Sequence, residues 1–335
     1  MNISRRNFIV TALGALLLSA RREELQIMTI RGLIPASKLG RALIHEHFLV
    51  DFVGADKVSP SRWNNDEVSA LVLPHLLEAK QAGVKSIFDC TPSFLGRDVS
   101  VLQLLAKQSG MQLITNTGYY GAVSNKYLPP WAFTETAAQL AARWIHEYEH
   151  GIDDSMVKPG FIKIAVDGDQ PLSALHKKLV EAAALTHLGT GLTICSHTGP
   201  AKVAFEELQI LHDMGVKAEA FVWVHAQAEP DKTNYTKAAR LGTWVSLDGI
   251  GWGSFDEYVD SIAMLKAEGL LHHVLISHDA GWYKPGEDNK NFKGYTAIFS
   301  ELVPRLQKKG FSDSDFDQLL IRNPAEAMSI RVRKS

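Results

Sequence analysis

Residues 42–50 read Ala42-Leu43-Ile44-His45-Glu46-His47-Phe48-Leu49-Val50 and open a series of apolar runs that decides how the rest of the chain is read. In an extended strand, side chains two apart share a face, so His45 and His47 project together while Glu46 points the other way. One apolar-flanked histidine is commonly a satisfied core residue. Two on one face of a buried strand must each find partners for their ring nitrogens in a nearly dry place, and imidazole is the commonest metal ligand. The spacing is not the His-Glu-x-x-His of a zinc-binding helix.

Seven further strand-like runs follow, at 84–90, 112–119, 161–167, 192–197, 220–226, 243–248 and 274–279. Stretches of helical periodicity lie between them, including 66–82, 99–109, 134–150, 172–188, 203–214 and 255–268. Several open near a capping residue and close on glycine, as at Asp66 and Gly83 or Thr134 and Gly151. Strand and helix alternating in this way predict a closed parallel (β/α)8 barrel, the TIM-barrel fold, with its active site at the C-terminal rim. An open doubly wound sheet is disfavoured, because no glycine-rich phosphate loop or dinucleotide fingerprint follows the first strand.

The 335 residues suffice for one barrel of about 250 residues plus extensions. Hydrophobic residues make up 46%, enough for a large core, and the net charge of -2 with no blocks of either sign gives no nucleic-acid footprint. The two cysteines, Cys90 and Cys195, each fall in an apolar run and read as inert buried thiols, without a disulfide framework or a Cys-rich zinc site. At the N-terminus, Ser4-Arg5-Arg6-Asn7-Phe8-Ile9 precedes the uncharged apolar run 11–20 and resembles a twin-arginine signal, whose pathway exports folded proteins. Residues 1–28 are therefore read as a leader and 29–335 as one barrel domain, periplasmic or secreted. The apolar run is too short for a comfortable membrane span of about 20 residues.

Polar residues gather at one end of the expected strands: Asp89, Tyr119, Tyr120, Lys163, Asp167, His197, His225, Asp248 and Asp279. His197 and His225 each close an apolar run and bring two more imidazoles to the rim that carries His45 and His47. His278 should face away from its neighbour Asp279. Lys163 lies in the apolar run Gly160-Phe161-Ile162-Lys163-Ile164-Ala165-Val166, where an unpaired ammonium is costly. Paired with a carboxylate such as Asp167 it would be structural; as a neutral amine it can add carbon dioxide to give an anionic carbamate that bridges two cations. Four imidazoles, one carbamate and one carboxylate suit two divalent first-row ions, zinc by default, with manganese, iron or cobalt as alternatives.

As an ordered set, Gly40-Arg41-Ala42-Leu43-Ile44-His45-Glu46-His47, Asp89-Cys90-Thr91, Thr117-Gly118-Tyr119-Tyr120, Ile162-Lys163-Ile164-Ala165, Ser196-His197-Thr198, His225, Leu247-Asp248, Ser277-His278-Asp279 and Asn323-Pro324-Ala325 resemble the phosphotriesterase family of the amidohydrolase superfamily. The resemblance spans about residues 32–330 and includes phosphotriesterases and phosphotriesterase-like lactonases. It implies His45, His47 and Asp279 on the more buried of two metal ions, His197 and His225 on the more exposed one, and a carboxylated Lys163 bridging them. It also implies a metal-bridging hydroxide that attacks an ester, with Asp279 taking the proton. Lactonase members carry a tyrosine near the end of strand three, and Tyr120 matches it best. The expected substrate is therefore a small-molecule lactone or carboxylic ester, with a phosphotriester as the alternative, and catalysis is expected to depend on Asp279, Lys163 and Tyr120. A homodimer is likewise implied by the resemblance alone.

Two departures bear on the substrate. The family usually carries aspartates shortly after the strand-six histidine, where this chain has Ala226-Gln227-Ala228-Glu229-Pro230-Asp231, and many members place His or Arg after the strand-seven aspartate, where Gly249 stands. Glu229 or Asp231 could substitute through a shifted loop. Trp252, Trp282 and Tyr283 are expected near the rim, and the polar stretch 284–293 favours a smaller or more polar substrate over a long acyl chain. A noncatalytic binding barrel would be expected to have a broken ligand set, and a mononuclear amidohydrolase a structural Lys163; all six ligand positions are filled. Replacing Arg5 and Arg6 by lysine is expected to hold the protein inside the cell. Fractionation that finds it exported as before would refute the twin-arginine signal.

Overall fold

The computed structural model describes residues 24–168 and 171–335, so the twin-arginine stretch and the apolar run after it lie outside the described residues. The chain opens with an antiparallel hairpin, β1 (Gln26–Thr29) and β2 (Gly32–Pro35), which starts inside the stretch read as leader. The barrel strands follow: β3 (Ala42–Glu46), β4 (Ser86–Asp89), β5 (Gln112–Ile114), β6 (Asn116–Thr117), β7 (Phe161–Ala165), β8 (Ile194–His197), β9 (Phe221–Val224), β10 (Trp244–Leu247) and β11 (Val274–Ile276). The run expected at 112–119 is divided into β5 and β6, which pair with opposite neighbours, β4 and β7. Pairing is parallel throughout the barrel and follows chain order, as βαβ crossovers require. The result is a (β/α)8 barrel.

Alternation along the strands sorts two cores. Ala42 and Ile44, Phe88 and Cys90, Ile114, Phe161, Cys195, Val222 and Val224, Trp244 and Leu275 meet in one enclosed cluster, the barrel interior. Their neighbours Leu43, Ile87, Leu113, Ile162, Ile194, Phe221, Val245 and Val274 pack outward with the helices. A sheet whose strands all feed one inner cluster has closed on itself. Cys90 and Cys195 are free and buried there, and burial pushes the Cys195 thiol up to about 12.

The crossover helices begin where capping side chains meet orphan N–H groups. Asn64 caps α1 (Asn65–Gln81), Asp98 caps α2 (Val99–Ser109), and Ser173 caps the helix Ala174–Thr190. The single helix expected over 134–150 is instead two. Thr134 ends α3 (Pro130–Thr134), and Thr136 forms a capping box with Gln139 to start α4 (Ala137–His150). The remaining major crossover helices are α5 (Ala174–Thr190), α6 (Ala201–Asp213), α7 (Thr233–Arg240) and α8 (Phe255–Ala267).

The seam between β3 and β11 is closed by hydrogen bonds outside the regular ladder. Asp279 N–H donates to His45 O at 3.0 Å and His47 N–H to Ala280 O at 2.8 Å. Glu46, fully buried and opposite in sense to its histidine neighbours, spans the seam with its side chain. Its Oε1 accepts from Ser277 Oγ at 2.8 Å, His278 N at 3.0 Å and His278 Nδ1 at 2.7 Å, and its Oε2 accepts from Ala280 N at 3.0 Å. His278 thus faces away from the cavity of Asp279, as alternation requires, and its Nε2 accepts from Ile298 N at 3.0 Å. Outside the barrel, Glu207 on α6 accepts from Ser196 Oγ and Thr198 Oγ1, both at 2.5 Å, and burial pushes its carboxyl up to about 7.

Glu46→Ala would strand four buried donor groups, and it is expected to lower the unfolding free energy by on the order of 3 kcal/mol or more in denaturant melts. A loss within error of zero would show that the seam does not depend on this carboxylate. Because Glu207 binds its proton more tightly folded than unfolded, the stability it lends below its ordinary range is lost as pH rises towards about 7. Glu207→Gln should therefore gain stability relative to wild type between pH 4.5 and pH 8, by on the order of 3 kcal/mol. An offset that does not change with pH would contradict this account.

Candidate metal centre

Two of the side chains at the site arrive by plain alternation. Lys163 follows Phe161 on the inner face of β7, and His197 follows Cys195 on β8, beside Ala165 in register. Others need a break in the backbone pattern. Ile44 already faces inward, so His45 should face out, but the register of β3 against β4 shifts between Leu43 and Glu46 and turns it into the barrel. Val224 also faces inward, and His225 reaches the same cavity because its backbone is left-handed, at φ 60 and ψ 34. Asp279 is left-handed as well, at φ 52. For residues with a side chain this conformation costs roughly 1 kcal/mol or more each, a strain that clusters at functional sites. Next to it Gly281, at φ +99, lies so close to β3 that a Cβ would stand 1.7 Å from His47 O.

His45, His47, Lys163, His197, His225, Asp279 and Tyr120 line one cavity of about 80 Å³, together with Val50, Phe52, Leu95 and Trp282. His47 Nε2 lies 3.0 Å and His45 Nε2 3.6 Å from Asp279 Oδ1, and these three residues can bring one ligand atom each within 4.8 Å of one another. The His45 ring centroid is 5.0 Å from that of His225, which is 4.3 Å from that of His197. Tyr120 Oη stands 3.2 Å from both ring nitrogens of His197.

A second layer aims the imidazoles. Thr91 Oγ1 is 2.7 Å from His47 Nδ1, and Asp248 Oδ1 is 2.7 Å from His225 Nδ1, which leaves the Nε2 atoms free for ligation. Asp248 also approaches His45 Nδ1 at 3.4 Å, off the hydrogen-bond line. A second group, His45, His225 and Asp248, is compact enough to hold an ion. Asp248 is however already engaged by Ser246 Oγ at 2.6 Å, Gln227 Nε2 at 3.0 Å and the backbone N–H of His225, so it serves better as an orienting partner.

Burial lowers the His45 imidazole to about 4 and His197 well below its ordinary range, with Lys163 adding to both and His225 to His197. Burial alone would raise Asp279, but the hydrogen bond from His47 and the nearby imidazoles hold it below the usual carboxylate range. Uncharged His45 and His197 beside an ionised Asp279 are in the protonation states that metal ligation requires. Lys163 is 1% exposed, and no described residue hydrogen-bonds its Nζ. The donor set fits divalent cations.

The alternative partner for Lys163 is absent, since Asp167 Oδ1 accepts from Val123 N at 2.7 Å and forms no ion pair with Lys163 among the described residues. The two rim tyrosines separate: Tyr119 packs outward against Trp144 and Phe94 and accepts from Trp131 Nε1, while Tyr120 lines the cavity. Glu229 and Asp231 do not reach the site. Glu229 accepts from Ala201 N and Asp231 N, and Asp231 accepts from Thr233 N and Oγ1. Trp252 donates from Nε1 to Asp279 O at 3.0 Å, and Tyr283 bridges to Leu49 outside the cavity. Thr91 and Gln227 are the contributors that strand alternation does not expose, because their partners lie on other strands.

The chain matches the model of the phosphotriesterase family over residues 25–328. It is 28% identical over 290 residues to the phosphotriesterase homology protein of Escherichia coli (strain K12), covering 86% of this chain and 97% of that one. An aryldialkylphosphatase of Saccharolobus solfataricus is 28% identical over 309 residues, 88% of this chain and 97% of its own length. The human N-acetyltaurine hydrolase is 23% identical over 352 residues, 91% and 98% of the two chains. The crystal structure of the E. coli phosphotriesterase homology protein with phosphate in its active site superposes with a TM-score of 0.76, covering 87% of this chain and 99% of that one at 24% identity, which speaks to the fold. With a match along nearly the whole barrel, this chain belongs to the phosphotriesterase family.

Proposed function

We propose that this protein is a binuclear, zinc-dependent ester hydrolase that acts on a lactone or a carboxylic ester. The observation that carries the reading is the single cavity shared by four imidazoles, Asp279, Lys163 and the Tyr120 phenol. His45, His47 and Asp279 would hold one ion, His197 and His225 the other, and Lys163, as its carbamate, would lie between them. When bound, two such ions supply Lewis-acid polarisation of an ester oxygen and make a water nucleophilic near neutral pH.

The remaining work falls to the chain itself. Thr91 and Asp248 fix the ring orientations of His47 and His225, so the ligand atoms are set in advance of binding. Asp279 is the carboxylate that borders the cavity and receives the proton of the attacking water. Burial keeps the Tyr120 hydroxyl protonated, so it can donate to a substrate oxygen. The Tyr120 phenol in this cavity, at the position where lactonase members of the family carry a tyrosine, favours the carboxylic ester. The names of its relatives define a phosphotriester and an amide as the competitors to test. With the twin-arginine reading, the site of action would be the periplasm or the exterior.

Metal analysis of purified wild type is expected to give two equivalents, and Lys163→Ala about one unless a short carboxylate is supplied. Two equivalents retained in Lys163→Ala without added carboxylate would remove the bridging role. Lactones, aryl esters, phosphotriesters and N-acyl amides should be compared on one preparation. Asp279→Asn is expected to slow the preferred ester by roughly 100-fold or more. Wild-type rates in that variant, or a preference for phosphotriesters or amides, would overturn the mechanism or the substrate assignment respectively.

A further inference from the structure

Asp279 borders a second cavity of about 320 Å³, lined by the segments that follow β9, β10 and β11. The space depends on Gly249: a Cβ there would stand 2.7 Å from Tyr258 Oη and 2.8 Å from Gln227 Nε2, so both tips occupy ground that a side chain at 249 would take. The Gln227 amide is fixed, giving to Asp248 Oδ1 at 3.0 Å and accepting from Asp248 N at 3.1 Å.

Two donors in this cavity lack a full set of partners, although the carboxylates of Glu257 and Asp279 also line it. Lys232 Nζ donates to Ser261 Oγ at 2.7 Å and Glu257 O at 3.3 Å, leaving a third N–H without a described partner. Among the described residues no carboxylate lies within ion-pair distance of it. Glu257, which also lines the cavity, is exposed and meets Lys232 only through its backbone carbonyl. The Tyr258 hydroxyl, on a buried ring, makes no hydrogen bond to a described residue, and burial keeps it protonated. A half-buried cation without a counter-ion beside a free phenol is a place for an anion.

We infer that this second cavity is a subsite for an anionic group of the substrate, a carboxylate several bonds from the scissile ester, held by Lys232 and Tyr258 in room that Gly249 leaves open. The inference rests on the ester-hydrolase reading only for where the scissile bond lies. Asp279 lines both cavities, which places the second one beside an ester poised at that residue.

The test pairs calorimetric binding of glutarate and of pentanoate to the metal-loaded protein with hydrolysis of mono-4-nitrophenyl glutarate and 4-nitrophenyl pentanoate. Wild type is expected to favour the glutarate member of each pair by about tenfold or more. Lys232→Gln should collapse that ratio, and Tyr258→Phe, which removes one oxygen, should reduce it with the melting temperature as a check on folding. Gly249→Ala should reduce it too, by displacing Tyr258 and Gln227. Equal affinity for glutarate and pentanoate in wild type, or an undiminished ratio in Lys232→Gln, would overturn the subsite even if both esters are hydrolysed. A glutarate preference that Lys232→Gln abolishes, with neither ester hydrolysed, would keep the subsite and discard the ester reading.

Discussion

The buried carboxylate of Glu46 is the constraint on which the rest of the structure depends. It accepts four hydrogen bonds from Ser277, His278 and Ala280, and in doing so joins the first barrel strand to the last. A buried acceptor with several donors is costly to break, because every partner would be left without water or protein. The same bonds fix the turn that carries Asp279 against the strand that carries His45 and His47, so closing the barrel and bringing three candidate metal ligands together are one event. Gly281 and Tyr295 complete the contact on His47 O, one by lacking a side chain and the other by donating its hydroxyl at 2.8 Å.

Much of this was legible in the residue order, for physical reasons that also explain what was not. A period of two is local, so His45 and His47 on one face, Glu46 and His278 on the other, Lys163 within its strand and His197 at a strand end can all be read from neighbours alone. The barrel follows from regular strand and helix alternation, and the family match agrees with it. Alternation cannot show that Ile44 and His45 both face inward, or Val224 and His225, since that depends on a register shift and a left-handed residue imposed by packing. The division of the third strand into β5 and β6, and the separate helix Pro130–Thr134, were equally hidden. Asp248 could be placed on the rim, but its hold on His225 depends on the register between β9 and β10.

The site is also divided in its chemistry. Around the candidate ligands, burial suppresses positive charge on His45 and His197, while the hydrogen bond from His47 and the nearby imidazoles preserve negative charge on Asp279 against the effect of its burial. Across Asp279 the loops supply donors in place of ligands, and the lack of a side chain at 249 gives them space. A frame of strand-borne ligands beside loop-borne lining lets a barrel keep its reaction while its loops set what is admitted.

The hydrogen bonds of Glu46 also impose an order on biosynthesis. Its partner Ser277 lies 231 residues further along the chain, so a ribosome must finish nearly the whole barrel before the seam can close. Until then His45 and His47 are two exposed imidazoles without Asp279 beside them. Domains complete their folding as units, and here the unit includes the last strand. A nascent chain therefore offers no assembled three-residue cluster to a passing cation, and the centre becomes complete only when the polypeptide does.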